Sequence, residues 1–154
     1  MSTTAHAHPE RLLAKAAARH RLSNVAFVII AFNVLATIVA IVLDLPSLFD
    51  PPAQPDPIET DWIARGTAIS APLPPIALLA ACALLLRRDD RWAIAGLIGI
   101  GLLSTLFLIG AVGELTAQPT GNVTRAVLTG AGIAWGAIAL SLIALAINAA
   151  RRPR

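Results

Sequence analysis

The stretch Ala126–Ala149, AVLTGAGIAWGAIALSLIALAINA, decides the fold. It runs about 24 residues without a charge. As a helix it rises ~36 Å, enough to cross a bilayer. Val25–Leu43, Ala68–Leu86 and Trp92–Gly113 have the same character. The expectation is an all-α membrane protein, a four-transmembrane-helix bundle with spans at about 25–43, 68–86, 92–113 and 126–149. Residues 1–24 then read as a polar, basic N-terminal tail and juxtamembrane helix, 25–149 as the transmembrane domain, and 150–154 as a basic tail.

Composition supports the same reading. Of 154 residues 56% are hydrophobic and 14% charged, with a mean hydropathy of +0.73. A soluble domain usually carries about 25% charge. The apolar residues are contiguous, not periodic, which separates spans from amphipathic helices of a soluble core. The first span ends in Asp44, Leu45 and Pro46, without a small-x-small cleavage site, and reads as a retained anchor.

The basic residues sort by side. Arg11, Lys15, Arg19 and Arg21 precede the first span. Arg87, Arg88 and Arg91 lie between the second and third, and Arg151, Arg152 and Arg154 follow the fourth. Only Arg65 and Arg125 fall in the two alternate loops. The positive-inside rule then puts the N- and C-termini in the cytoplasm. The net charge of +3 reflects this sorting and is no sign of nucleic acid. The expected location is the inner (plasma) membrane, multi-pass, and the Ala-, Leu- and Arg-rich composition without tyrosine hints at a bacterial source.

Arg11–Arg21 reads as a short basic helix suited to an anionic surface, with Ser23 or Asn24 capping the helix that follows. Within the spans, Asn33 and Thr37 share a face one turn apart, and an amide in hydrocarbon needs a partner. Pro72, Pro74 and Pro75 break or bend the entry to the second span. Carbonyls near Thr67–Ala71 then need partners inside protein or water. Gly96 and Gly110, and the Gly132/Gly136 pair, mark expected helix-packing faces. Phase places Glu114 above Gly110 and Phe107 on that face, with Arg125 or Arg65 as its expected ion-pair partner. Asn122-Val123-Thr124 matches a glycosylation sequon, a pattern common by chance.

No phosphate-binding loop, dinucleotide fingerprint, zinc motif or CxxC occurs, and the spans hold no charge at mid-depth. No catalytic residue, cofactor or metal is expected, and an enzyme is the less favoured class. The one chemical constellation is an outer polar cluster of Asp44, Asp61, Arg65, Glu114 and Arg125. The leading functional expectation is a structural or accessory membrane protein. It would pack laterally in a homo-oligomer or larger membrane complex, among membrane lipids. The alternatives are a small transporter or channel subunit, or lipid-binding protein, with an outer polar vestibule, and a membrane-embedded enzyme acting on a lipid or quinone.

Overall fold

The structure, a computed structural model, describes residues 7–45, 63–119 and 123–151. Among the described residues there are four helices: α1 (Ala7–Val42), α2 (Leu73–Leu85), α3 (Trp92–Thr116) and α4 (Arg125–Arg151). Each packs on the next in sequence, and α4 closes the ring against α1. The diagonal pairs α1/α3 and α2/α4 bring no Cα atoms within 8 Å. Among the described residues three helices are long and apolar enough to cross a membrane, and α2, at 13 residues, is shorter. The protein is a multi-pass helical membrane bundle.

Two boundaries differ from expectation. The basic segment is not a separate surface helix, because it continues into the first span as one helix of 36 residues. No glycine or proline interrupts residues 10–42, and Pro9 lies in the first turn, where a missing N–H costs nothing. Ser23 therefore does not cap. It is fully buried, and its hydroxyl donates to the Ala83 carbonyl at 2.8 Å while accepting from Arg87 Nε at 3.0 Å. Arg19 reaches the α2–α3 turn, bonding the Arg88 carbonyl at 3.2 Å and Asp89 at 3.0 Å.

The second expected span, 68–86, is helical only from Leu73. Pro72, Pro74 and Pro75 supply no backbone N–H, and a proline disfavours helical backbone in the residue before it. The helix therefore starts at the prolines, which its first turn tolerates, and cannot extend back through Ala68. Residues 66–72 run instead as a compact, non-helical piece inside the end of the bundle away from the α2–α3 turn (the outer end in the topology expected from charge). Gly66 adopts φ +77°, and a Cβ there would lie 2.5 Å from the Ser70 carbonyl oxygen. That turn requires glycine.

At its far end α1 closes with a left-handed Asp44 (φ 50°). The Leu45 N–H bonds the Ala40 carbonyl at 2.9 Å and the Asp44 N–H bonds Ile41 at 3.3 Å. This pairing satisfies the last carbonyls of a helix. It tucks Leu45 into a small outer core with Ala40, Ala68, Val123 and Leu128. The main core lies along the bundle and joins all four helices through Ile29, Leu79, Phe107 and Trp135.

Candidate functional site

The outer end of the bundle is organised by the 66–72 piece. Inside hydrocarbon a loop must have its polar backbone bonded. Part of the bonding is internal. The Thr67 N–H bonds the Ser70 carbonyl at 3.0 Å, the two hydroxyls meet at 2.7 Å, and the Ser70 N–H bonds Thr67 Oγ1 at 3.1 Å. The rest comes from the neighbouring helices. Asn33 on α1 accepts from the Ala71 N–H at 2.8 Å and donates Nδ2 to its carbonyl at 3.4 Å. Trp135 on α4 donates Nε1 to the Ile69 carbonyl at 3.2 Å. Thr37 bonds the Asn33 carbonyl at 2.9 Å within α1.

Because this piece folds inward, it does not cover α3 as another turn of α2 would. The uncovered face carries Phe107, Gly110 and Glu114. A cavity of about 290 Å3 opens there, bounded also by Pro72 and Pro75 and floored by Trp135. It runs ~10 Å along α3 between Phe107 and Glu114. Phe107 and Trp135 meet at a tilt of 42°, with centroids 5.4 Å apart. Leu106 and Ile109 form an edge and are 52% and 65% exposed, so the cavity opens sideways onto the apolar surface of the bundle. Its walls are mostly apolar, and Glu114 and Arg65 are its charged lining residues.

The expected outer cluster is only partly assembled. Arg65 and Glu114 line the same cavity. Arg125 does not take Glu114 as a partner. It is exposed, and its Nη1 donates to the Ala117 carbonyl at 2.8 Å. Glu114 Oε2 is buried without a hydrogen-bond partner. The reason is local. A basic side chain at the first residue of α4 finds the unpaired carbonyl beyond the end of α3 before it can reach back down that helix. Asp44 is exposed, caps α1, and has an interaction of its own. Asp61 and the Asn122 sequon position lie outside the described residues.

The glycines divide. Gly96 sits against α2, where a Cβ would lie 2.7 Å from the Cys82 carbonyl oxygen and 3.0 Å from Leu85 Cβ. Gly132 sits against α3, where a Cβ would lie 2.9 Å from the Ala111 carbonyl oxygen, and Gly136 makes an ordinary contact with Ala111. Gly110, expected on a packed seam, faces open space and lines the cavity.

Sequence reasoning missed Thr67, Ser70 and Trp135 as parts of one site. The proline triplet signals that backbone near them is broken. No sequence pattern says which helix supplies the missing hydrogen bonds. Among the described residues no three His, Cys, Asp or Glu side chains converge to hold a metal ion.

Compared with protein-family models, curated proteins and solved structures, the chain matches none.

Proposed function

We propose that this protein is a small multi-pass membrane protein that binds an amphiphile in a laterally open cavity at its outer end. The observation that carries the reading is the mouth itself. An apolar recess floored by Phe107 and Trp135 opens past exposed Leu106 and Ile109 onto the apolar side of the bundle, the side that a bilayer covers if the long helices span it. Its volume is that of a small ligand site, commonly about 300–1,000 Å3. The basic end of the bundle, with Arg19, Arg87, Arg88, Arg91 and Arg151, is assigned to the cytoplasm, so the cavity faces the opposite leaflet. Cleavage of a C-terminal tag by external protease in intact cells would reverse that assignment.

Gly110→Leu tests the cavity. Its side chain enters open space, so the fold is kept and the recess is filled. Quenching of Trp135 by brominated amphiphiles in nanodiscs should fall at least about fivefold, with melting temperature held or raised. Unchanged quenching removes the cavity as a binding site.

Lateral packing as a structural or accessory subunit is the second reading. Gly132 and Gly136 are used inside the fold, which moves this reading to another face of α4. Gly130, Ala137, Ser141 and Asn148 are exposed along one side of that helix. Small residues with outward polar groups suit a neighbouring helix. Ser141→Cys, placed in a Cys82→Ala background, should give a disulfide-linked dimer in native membranes if the partner is a second copy. Monomer alone excludes self-association through this face.

A further inference from the structure

We propose that the cavity takes the ammonium head of an amphiphile, with the Glu114 carboxyl accepting its N–H groups and Phe107 and Trp135 lying against its first methylenes. The inference rests on the cavity reading above and adds a head-group chemistry to it.

Glu114 Oε2 is buried and has no protein partner, on a wall that is otherwise mainly apolar. Leaving such an oxygen unbonded is costly, and a ligand N–H removes the cost. A charged donor does so about twice as strongly as a neutral one. The aromatic pair adds to this, because the ring bodies bury the alkyl chain next to the head. A bare metal ion does not fit, since Glu114 belongs to no group of three His, Cys, Asp or Glu side chains among the described residues. A small hydrophilic amine does not fit either, because the edge at Leu106 and Ile109 opens onto an exposed apolar surface. The ligand therefore carries its own apolar tail.

Arg65 lines the same cavity and has an interaction of its own. A head that also bears a phosphate can extend toward it. A simple long-chain amine and an aminophospholipid thus present the same ammonium to Glu114 from two sources.

The experiment uses the full chain in phosphatidylcholine nanodiscs, with Trp62→Phe and Trp92→Phe leaving Trp135 as the fluorophore. The probes are mid-chain-brominated dodecyl amphiphiles with ammonium, hydroxyl or sulfate heads. The ammonium probe should quench Trp135 at about tenfold lower membrane mole fraction than the hydroxyl probe, and the sulfate probe should be weakest. Glu114→Gln should abolish that preference and leave the hydroxyl probe unchanged.

Equal quenching by ammonium and hydroxyl probes overturns the head-group proposal, as does a preference that survives in Glu114→Gln. Loss of the hydroxyl probe in Glu114→Gln also overturns it, because Glu114 is then part of the cavity's structure. All three results leave the cavity reading standing if Gly110→Leu still reduces quenching. If Gly110→Leu leaves all three probes unaffected, the cavity reading itself fails. Doping phosphatidylethanolamine into the nanodisc separates the sources. Displacement of the ammonium probe identifies the bilayer's own lipid, and retention identifies a free amine amphiphile.

Discussion

Gly96 and Gly110 stand on the same helix, about four turns apart, and carry the same sequence signal for close packing. Their surroundings are opposite. Gly96 touches the backbone of α2 at Cys82 and Leu86, and Gly110 faces open space. The two positions differ because α2 runs beside the inner half of α3 and stops at Leu73, short of its outer half. At the inner end, helix covers helix, and Gly96 and Gly99 both meet α2. At the outer end a hydrogen-bonded loop replaces helix, and the small residue leaves room. A glycine on a membrane helix thus marks contact only where a neighbour of sufficient length is present.

The comparison is broken most severely at the loop's anchor. Asn33→Leu keeps the volume and removes both bonds to Ala71, leaving an N–H and a carbonyl unpaired in the bundle. A loss of roughly 2–4 kcal/mol is expected, read as a lower melting temperature in one detergent. The outer end should also exchange its Thr67–Ala71 amides faster, with the Arg87–Arg91 turn unchanged. A parental melting curve would mean that the loop holds itself without α1.

A smaller effect is expected at the inner contact. Gly96→Ala pushes a methyl against the Cys82 carbonyl and the Leu86 N, which are backbone and cannot rotate away. Overpacking of this kind costs about 1–3 kcal/mol. The smallest effect is expected at the matched outer position. Gly110→Ala meets nothing and gains helix propensity, so stability should hold or rise by up to ~1 kcal/mol. The sign difference between the two alanine variants, measured side by side, is the sharpest form of the comparison. Equal destabilisation would show that α3 is covered along its whole length.

Much of this was legible in the residues. Continuous apolar runs marked α1, α3 and α4, because spanning helices need length and little else. Helical phase put Glu114, Gly110 and Phe107 on one face, and that face does line the cavity. The proline triplet marked the broken entry to α2. The juxtamembrane boundary was not legible, because a capping residue such as Ser23 caps only where the helix stops, and nothing there stops it. That Glu114 Oε2 is left without a hydrogen-bond partner was not legible either. Chain proximity suggested Arg125, whereas a nearer carbonyl at Ala117 takes its guanidinium.

What the sequence by itself determined is the apolar helical segments and a helix start set by Pro72, Pro74 and Pro75. These follow from local properties: apolar length and the missing proline N–H. Only the tertiary structure decided where the broken segment goes. Asn33 from α1 and Trp135 from α4 both bond its backbone, at sequence separations of 38 and 66 residues. Those bonds draw the loop into the bundle and away from α3, which is why one glycine face is packed and the next one opens into a cavity.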